Sequence, residues 1–386
     1  MEGFGYQENW LPFCQSDLGH NVKVLTTDRW FPLPNYDELF KQKYGPRIRK
    51  PGLSIDRGVE IIRCKPYFEI ASRAVPVFPV SRVVKEFEPD VIHVHGATNF
   101  NLPCVLSSAP TKARIFVDCH QDYLVTRHTS IFNRLNYIFW SWYYHNRRDR
   151  IAKFLPISEA SKRFLVEKLK TKQKHIRISP LGVDLDSKSR DDSLRKSFRA
   201  HHSLEKYFII VNAGKQYEMK NITFIIELYR ELLGESVNQD LALVLIGEAT
   251  GDYEKAIVGE IERTESEFPQ AKVLRLPFLP NAELQEAYSA ADLGIWPGVA
   301  SNTIQEAMGC GVVVSLLDTG ITTHLIVDNG LLIRELDPPT VASQLKRLIS
   351  DPNELRRLQQ LTHDTIRKFS WNAIAKETLE IYSEEA

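Results

Sequence analysis

The sequence lacks the features that would place the chain in a specialised protein class. Its five cysteines are scattered and form no CxxC pair, which argues against a disulfide framework or structural zinc and fits a reducing cytoplasm. Its 49 basic and 49 acidic residues leave no net charge to attract nucleic acid. No apolar run reaches the roughly 20 residues that span a bilayer, and no signal peptide, internal repeat or low-complexity tract is visible. We therefore expect a cytoplasmic protein, with peripheral contact at the inner face of the membrane as the alternative.

The 386 residues are enough for two domains, each with its own core. Short apolar runs alternate with amphipathic stretches, a pattern typical of parallel α/β sheets. Ten runs are predicted as strands: residues 22–26, 59–63, 91–95, 115–119, 154–157, 207–212, 242–246, 273–276, 293–296 and 312–316. The highly charged residues 184–205 lack apolar periodicity and indicate the domain junction. The predicted division is 1–185, a junction at 186–206, 207–368, and a terminal segment at 369–386.

Residues 293–315, LGIWPGVASNTIQEAMGCGVVVS, hold the strongest indication of function. An apolar run is followed by a loop of small residues, a helical segment and a β-branched run. Strand, small-residue loop and helix N-terminus together form the unit with which α/β proteins hold a phosphate. The carboxylate of Glu306, early in the helix, is placed to reach a sugar hydroxyl, so the stretch predicts a nucleotide-sugar site. Alternatively, Thr303 and Glu306 form an S/T-x-x-E capping box in which the glutamate only satisfies backbone donors.

The first residues make an unusual start for an α/β domain. The GFGY sequence at residues 3–6 has the composition of a phosphate-type turn, and residues 7–18 are predicted as a helix that ends at Gly19. A turn of this kind normally follows a buried strand, whereas only two residues precede it here. A missing central strand would leave unpaired backbone groups inside the sheet. We therefore expect that the first strand is absent through truncation or a misassigned start, unless another strand fills its place.

Ordered fragments along nearly the whole chain resemble the retaining glycosyltransferases of family 4, which have the GT-B fold. The most specific fragment, PNAELQEAYSAADLGIWPGVASNTIQEAMGCG, is similar to the family signature pxxELxxxYxxADxxxxPS…EAMAxG. The supporting fragments are DLGHNV (17–22), PDVIHVH (89–95), PIS (156–158), PLGVD (180–184), GK…KN (214–221), DNGLL (328–332) and FSW…Y (369–382). The resemblance implies two doubly wound Rossmann-like α/β domains that face each other across a cleft. The N-terminal domain would bind the acceptor and the C-terminal domain the nucleotide sugar, and the last helix would pack back onto the first domain.

The activity implied by this resemblance is transfer of a sugar, with retention of anomeric configuration. The donor would be a nucleoside-diphosphate sugar, and the acceptor a hydroxyl of a glycan or of a lipid-linked sugar. In this family Glu306 would bind the ribose hydroxyls of the donor. The backbone amides around Ser301, Asn302 and Thr303 would point at its pyrophosphate.

Lys215 and Lys220 lie just after a predicted strand. Two fixed cations at this place stabilise the negative charge that builds on the diphosphate leaving group, without a metal. The family usually has an arginine at the first position, and the lysine keeps the charge but loses the bidentate fork. The alternative for both lysines is a solvated pair in a loop.

The sequence departs from the family pattern at Gly298. The usual motif has a glutamate there, eight residues before Glu306, where it contacts the transferred sugar. A glycine at this position implies altered recognition of the donor sugar or a weakened enzyme. Asn302 offers a neutral hydrogen-bonding substitute.

Other candidate residues belong to the acceptor side. His120 ends a predicted strand and matches the family's H-D position, which implies contact with the donor sugar across the cleft; otherwise it is a structural hydrogen-bonding group. His95 also ends a strand, where α/β sheets place their ligands, and is a secondary candidate. Gly5, Tyr6 and Gln7 are expected in the acceptor-side loop near the phosphates.

Two further patterns concern metals and membranes. Asp184 and Asp186 match the DxD of metal-dependent glycosyltransferases, but they belong to the motif that ends the domain, so we interpret them as structural. We expect no catalytic metal, and no cofactor besides the nucleotide sugar as co-substrate. Residues 138–150, IFWSWYYHNRRDR, fit a helix lying on an anionic membrane. They also fit a helix with its aromatic side chains in the core and its arginines in water, which we prefer.

Two other functions remain open at this point. One is a nucleotide-sugar epimerase of the GT-B fold, against which the family-4-like motifs count. The other is a catalytically weak or dead subunit that binds sugar nucleotides, which Gly298 and the absent first strand favour.

Overall fold

The computed structural model describes residues 7–30, 36–39, 41–67, 69–70, 73–74, 79–124, 131–234, 239–299 and 301–384. The chain forms two compact units. The first unit contains Met1–Leu181 together with Trp371–Ala386, and the second contains Gly182–Ser370. The predicted junction at 186–206 therefore falls within the second unit rather than between the two.

The first unit has α/β architecture with short sheets. Its strands are β1 (Lys23–Thr27), β2 (Gly52–Asp56), β3 (Val59–Cys64), β4 (Glu69–Ile70), β5 (Arg73–Ala74), β6 (Val91–Val94), β7 (Arg114–Cys119) and β8 (Lys153–Pro156). Its helices before residue 181 are α1 (Gln7–Asp17), α2 (Tyr36–Leu39), α3 (Lys41–Tyr44), α4 (Val80–Phe87), α5 (Leu102–Ser108), α6 (Ile131–Arg147) and α7 (Glu159–Lys168).

Six of the described strands of the first unit form two three-stranded sheets. One has the order β1-β3-β2, in which β1 runs parallel and β2 antiparallel to β3. The other is the parallel sheet β6-β7-β8, and β4 and β5 form a separate antiparallel pair. No strand among the described residues is hydrogen-bonded to both β1 and β6. The GFGY sequence at 3–6 lies outside those residues.

The second unit contains a six-stranded parallel sheet. Its strands are β9 (Phe208–Ala213), β10 (Leu241–Ile246), β11 (Lys272–Leu276), β12 (Leu293–Trp296), β13 (Val313–Leu317) and β14 (Gly330–Ile333). Its helices are α8 (Asp192–His201), α9 (Ile222–Gly234), α10 (Gly251–Glu267), α11 (Asn281–Ala290), α12 (Asn302–Gly309), α13 (Pro338–Ser350) and α14 (Pro352–Arg367). Alternate residues of β9 enter the two cores that cover the faces of this sheet, with Ile209 and Val211 on one side and Phe208 and Ile210 on the other.

The strand order of this sheet defines one special position. The order is β11-β10-β9-β12-β13-β14, so the chain builds outward from β9 in one direction and then returns to place β12 on its other side. In doubly wound sheets, ligands bind beyond the carboxyl ends of the two strands at which the order reverses. In this unit those strands are β9 and β12.

Helix α8 explains why residues 184–205 lack apolar periodicity. It is held by buried charge as well as by apolar packing: Arg199 donates to Asp292 Oδ2 over 2.7 Å, and Arg195 donates to Asp292 Oδ1 over 2.7 Å. The same carboxylate accepts a hydrogen bond from the backbone N–H of Ile209 over 2.9 Å. This ion-paired contact is invisible to a search for hydrophobic period, which is why the helix looks like a linker in the sequence.

The last helix, α15 (Trp371–Ser383), belongs to the first unit and packs against α1. Its side chains Ile381 and Tyr382 form an apolar cluster with Phe116 of β7 and Leu155 of β8. Helix α1 itself ends near Gly19, whose φ of 91° allows the chain to leave the helix.

All ten predicted strands are present, with ends shifted by no more than a residue or two. Within the described ranges, the prediction missed the strands β2, β4, β5 and β14. Helix α6 follows the preferred expectation only in part: Tyr137, Trp140 and Tyr144 are buried, but Phe139 and Trp142 are exposed. No helix within the described ranges is both long and apolar enough to cross a membrane.

Candidate functional site

Two loops meet where the order of the second sheet reverses. The last residue of β9, Ala213, directs its carbonyl oxygen toward the segment that follows β12. This oxygen accepts hydrogen bonds from Trp296 Nε1 over 3.0 Å and from Thr303 Oγ1 over 2.8 Å. Thr303 Oγ1 also lies 2.7 Å from Ser301 Oγ. The first turn of α12 is therefore fixed to the end of β9.

Glycine is required where these segments approach each other. Gly214 has a φ of 133°, and a Cβ atom there would lie 3.3 Å from Ser301 Oγ. Gly247, at the end of β10, would place a Cβ only 2.0 Å from the carbonyl oxygen of Gly214. Gly247 therefore excludes a side chain, and the φ of Gly214 strains any residue that has one, so the backbone at the end of β9 stays uncovered by side chains at these two positions.

The loop around Gly298 is joined to the turn at residues 219–221. Val299 N–H donates to Met219 O over 3.1 Å, and Asn221 Nδ2 donates to Pro297 O over 2.7 Å. A Cβ at Gly298 would lie 2.2 Å from Met219 O. The backbone thus leaves no room for any side chain at the position where the family has its sugar-contacting glutamate.

The two predicted cations differ in environment. Lys220 is partly buried and its Nζ donates to Val299 O over 2.8 Å. Burial lowers the pKa of Lys220 to about 8. Lys215, in contrast, is exposed and has no hydrogen bond or ion pair to any described residue. Of the two, Lys220 is therefore the one whose ammonium is held in place by the fold.

The capping-box interpretation of Glu306 is wrong. The N-cap of α12 is Ser301 and the helix begins at Asn302, so Thr303 is its second residue and Glu306 its fifth. A capping box requires the threonine at the N-cap and the glutamate three residues later. Burial raises the pKa of the Glu306 carboxyl, and the nearby Lys188 opposes this rise. The carboxylate is thus free of a capping role.

One residue of this loop gave no signal in the sequence. Gln216 is 96% buried (4% exposed), and neither its Nε2 nor its Oε1 has a hydrogen-bond partner among the described residues. Its backbone N–H donates to Glu248 O over 3.1 Å. An unpartnered buried amide beside two glycine-lined loop ends is unusual, and glutamine in a polar loop carries no pattern by which to find it.

A histidine cluster occupies the carboxyl ends of β6 and β7 in the first unit. Asp118 is fully buried, and its Oδ2 lies 2.5 Å from His95 Nδ1 and 3.4 Å from both His93 Nε2 and His120 Nε2. Its other oxygen accepts the backbone N–H of Gly96 over 2.6 Å. One carboxylate therefore organises three imidazole rings.

Two helices complete this cluster. His120 Nε2 donates to the Oε1 of the buried Gln7, on α1, over 3.0 Å. His93 Nδ1 and the hydroxyl of Tyr382, on α15, are 2.5 Å apart. The rings of His93 and His95 stack with their centroids 4.6 Å apart. The cluster therefore joins the sheet to both ends of the first unit's chain.

The charge of Asp118 sets the protonation of the histidines. Burial lowers the pKa of His95, but the adjacent carboxylate outweighs it and raises the pKa to about 9. The pKa of His120 is also raised, because Asp118 overcomes the opposing effect of burial. Burial dominates at His93 and lowers its pKa. Burial would raise the pKa of Asp118, yet His95 and His120 hold it well below its usual range.

Metal-ligating groups are close together in the same cluster. The candidate ligand atoms of His93, His95 and Asp118 all lie within 4.8 Å of one another.

The Asp184 and Asp186 pair is organised differently: Asp184 Oδ1 accepts the N–H of Asp186 over 3.2 Å, and Asp184 Oδ2 accepts the Ser187 hydroxyl over 2.6 Å. This is a local turn.

The predicted residues divide between the two units. The second unit brings together Lys220, Gly298, Ser301, Asn302, Thr303 and Glu306 around the ends of β9 and β12, with Lys215 exposed on the same loop. The first unit brings together Gln7, His95 and His120. Gly5 and Tyr6 lie outside the described residues.

Asp118 was not among the predicted residues, although a signal for it exists. It lies on β7, two positions before His120, which directly follows the strand, and residues two apart in extended backbone point to the same face. The parallel register that pairs Val94 with Val117 also brings His95 level with Asp118. Strand register, more than residue type, would have identified it.

Comparisons with known proteins agree with this architecture. Residues 14–187 match the family described as Glycosyltransferase Family 4, and residues 194–363 match the family described as Glycosyl transferases group 1. The D-inositol 3-phosphate glycosyltransferase of Xylanimonas cellulosilytica is 27% identical over 220 residues, which cover 54% of this chain and 51% of that protein. The alpha-maltose-1-phosphate synthase of Mycolicibacterium smegmatis is 31% identical over 116 residues, 27% of this chain and 30% of that protein. The chain thus spans about half, or less, of the length of the curated relatives it matches.

Solved structures show the same fold at low sequence identity. Anabaena HepE, in complex with UDP and glucose, has a TM-score of 0.68 at 16% identity, over 99% of this chain and 97% of that one. Sucrose-phosphate synthase from Thermosynechococcus elongatus has a TM-score of 0.66 at 16% identity, over 96% and 90% of the two chains. The predicted α/β class and GT-B fold are confirmed. The two family matches cover most of the sequence, and the chain therefore belongs to the family-4-like glycosyltransferases of the GT-B fold.

Proposed function

We propose that this chain transfers a sugar from a nucleoside-diphosphate sugar to an acceptor hydroxyl, with retention of anomeric configuration. The observation that carries the proposal is the convergence of Lys220, Gly214 and the first turn of α12 where the strand order reverses. This arrangement offers a cation, a glycine backbone edge and a helix N-terminus to a diphosphate. Glu306, which has no capping role, is left for the ribose hydroxyls.

The reaction needs charge stabilisation more than it needs a nucleophile. Breaking the bond between the sugar and the diphosphate leaves negative charge on the phosphate oxygens. A preorganised ammonium stabilises that charge in a site with little water. Lys220 supplies it, assisted by the exposed charge of Lys215, and we propose that no metal ion takes part.

The acceptor side of the proposal rests on the first unit. We propose a glycan or lipid-linked hydroxyl as acceptor and a role in polysaccharide biosynthesis, in the cytoplasm or at the inner face of the membrane. On this side the acceptor would bind to Gln7, His95 and His120. His120 would also contact the transferred sugar. Asp118 would act as a positioning residue, because it fixes the orientation and proton of each ring.

A direct test combines donor binding with product analysis. A panel of UDP-, GDP- and ADP-sugars is screened by calorimetry, starting with UDP-glucose because UDP and UDP-glucose occur in the HepE structures. Donor turnover and the anomeric configuration of the product are then measured by NMR. We expect one donor to bind and to be transferred with retention; failure of every donor to bind would refute the proposal.

A second candidate is a weak or inactive sugar-nucleotide-binding subunit. The closed backbone at Gly298 favours it, since no side chain at this position can contact the transferred sugar. Donor binding without hydrolysis or transfer to any acceptor would establish this second function. A product in which the sugar stays on its nucleotide with an inverted ring carbon would establish the epimerase.

A further inference from the structure

Helix α6 carries an exposed apolar face that folding does not use. Six large side chains of the helix are exposed: Ile131 by 76%, Phe132 by 60%, Leu135 by 62%, Ile138 by 65%, Phe139 by 40% and Trp142 by 60%. At 100° per residue they fall within an arc of about 120°. We refer to these six residues as the outer stripe. The side chains that hold the helix to the core lie on the opposite face.

The inner face of α6 is well anchored. Tyr137, Trp140 and Tyr144 are buried, and the Tyr144 hydroxyl donates to the carbonyl oxygen of Ala97. The Tyr137 ring packs edge-on against Phe164 with centroids 5.3 Å apart. The helix therefore keeps its orientation without the outer stripe, which stays available for a partner.

The outer stripe exposes more contiguous apolar area than the surface of a soluble protein usually does. An aromatic side chain presents about 150–250 Å², so the exposed fractions of Phe132, Phe139 and Trp142 alone leave roughly 300 Å² in contact with water. Three aliphatic side chains add to this in one contiguous row. Patches above a few hundred Å² on soluble proteins mark interaction sites.

The charged side chains of α6 itself are of one sign. Helix α6 contains no acidic residue, and Arg134, His145 and Arg147 are exposed at its borders. Neither arginine forms an ion pair with a described residue. An amphipathic helix with aromatic and aliphatic residues on one face and arginines at its margins fits the boundary between lipid headgroups and acyl chains.

The net charge of the whole first unit also favours contact with an anionic surface. Although the full chain is neutral, the first unit contains 29 lysines and arginines against 21 aspartates and glutamates, a net charge of +8. The second unit contains 20 against 28, a net charge of −8. The unit that carries the outer stripe is thus attracted to an anionic surface.

We propose that α6 docks the protein onto an anionic lipid bilayer, with the outer stripe inserted at the level of the headgroups. The helix would lie in the plane of the membrane over about 25 Å, as its 17 residues and 1.5 Å rise imply. A second copy of the chain fits this face less well. Paired α6 helices would oppose arginine to arginine, with no acidic residue on the helix to compensate.

Vesicle flotation with the full chain tests this proposal. Vesicles of equal parts phosphatidylglycerol and phosphatidylcholine are compared with vesicles of phosphatidylcholine alone, at low and high salt. We expect binding to the anionic vesicles that weakens with salt. The double variant Ile138→Ser/Trp142→Ser should reduce the partition coefficient at least about tenfold, and each of Arg134→Gln and Arg147→Gln should reduce it about fivefold.

A matched control uses exposed apolar residues elsewhere in the first unit. Leu53 and Ile55 of β2 are 61% and 70% exposed, so Leu53→Ser/Ile55→Ser removes comparable surface and should leave vesicle binding unchanged. Thermal melts of all variants check folding, and nucleotide-sugar binding by the second unit provides an independent check. These readouts separate a failure of membrane docking from a failure of the proposed transferase function.

A second measurement locates the contact. Lipids brominated in the upper acyl chain quench a nearby indole. Trp142 is exposed, whereas Trp10 and Trp30 are half-buried and Trp140, Trp296 and Trp371 are buried. Quenching should therefore disappear in Trp142→Phe while this variant still floats with the vesicles. The proposal is overturned by equal binding to neutral vesicles, by no binding, or by quenching that persists without Trp142. It is also overturned if the stripe variants abolish self-association instead of lipid binding.

Discussion

Replacement of Lys220 by methionine separates a catalytic role of this side chain from a structural one. Methionine keeps the length and apolar stem of the side chain but removes the ammonium that donates to Val299 O over 2.8 Å. Removing one preorganised electrostatic donor from an active site typically costs a factor of about 10²–10³ in kcat. We expect Lys220→Met to lose transfer activity by this factor.

The same substitution should leave the protein as stable as before, or more stable. Lowering the pKa of Lys220 from 10.5 to about 8 corresponds to about 3 kcal/mol of preference for the neutral amine in the folded state. Because the folded-state pKa lies below that of the unfolded chain, the charge opposes folding at neutral pH. This cost disappears as the pH rises from about 8 to 10.5. Methionine removes the charge and with it the cost.

The pH profile provides an independent readout. Below about pH 8 the free enzyme carries a charged Lys220, so kcat/KM should fall as the pH rises through about 8. Lys220→Arg keeps its charge to much higher pH and should lose this alkaline limb, even if its overall rate is lower.

Transfer rates, donor affinities and melting curves are measured for wild type, both Lys220 variants and the control Lys255→Met. Lys255 is exposed and pairs with Asp252 on the surface of α10, so its loss should change neither rate nor stability. An activity of Lys220→Met within about threefold of wild type would show that this ammonium does not stabilise the leaving group. A large loss of stability would show that the role is structural.

Three further predictions concern the remaining site residues. Gly298→Ala should destabilise the second unit by about 1–3 kcal/mol, because its Cβ would lie 2.2 Å from Met219 O. Denaturant titration measures this change in the free energy of unfolding. In the control Gly259→Ala, which has open space around the new Cβ, the same measurement should show a neutral or stabilising effect. Asp118→Asn should lower the pKa of His95 from about 9, since burial is then opposed only by the charge of Glu8; NMR titration of the imidazole detects this, and an unchanged value would contradict the assigned charge coupling. Treatment with EDTA should leave donor turnover unchanged, whereas inhibition reversed by added divalent cation would show that a metal takes part.

The stability contributed by His95 has a defined pH dependence. Its folded-state pKa of about 9 exceeds the unfolded value near 6.5, so its contribution is complete below pH 6.5 and is lost as the pH rises to 9. Wild type should therefore lose stability relative to Asp118→Asn over this range.

Apolar patterning predicted the strands because each buried strand is a short continuous run. The same patterning could not detect α8, whose contact with the rest of its unit depends on Arg199 and Asp292, 93 residues apart in sequence. The exposed strand β2, with a mixed pattern of burial, was missed for a related reason. A helix held by ion pairs and a strand that is largely exposed both lack the regular spacing of apolar residues on which such a prediction depends.

For the candidate site, the sequence indicated which residues belong to the site better than it indicated how each is buried and hydrogen-bonded. The resemblance to the family assigned Lys220, Thr303 and Glu306 to one site, yet it could not show that Glu306 is the fifth residue of its helix and so outside any capping box. Nor could it show Gln216 buried without a partner. These properties depend on neighbours that are far away along the chain.

The hydrogen-bonded contact between segments 219–221 and 297–299 also determines which sequence changes could alter the sugar specificity. Met219 and Lys220 occupy with backbone the volume that a longer side chain at 298 would need, so a single substitution there cannot restore a sugar-contacting carboxylate. The two segments, 219–221 and 297–299, must change together. Libraries that alter the length of the 215–221 loop, rather than saturation of position 298, are therefore the route by which selection can redesign this site.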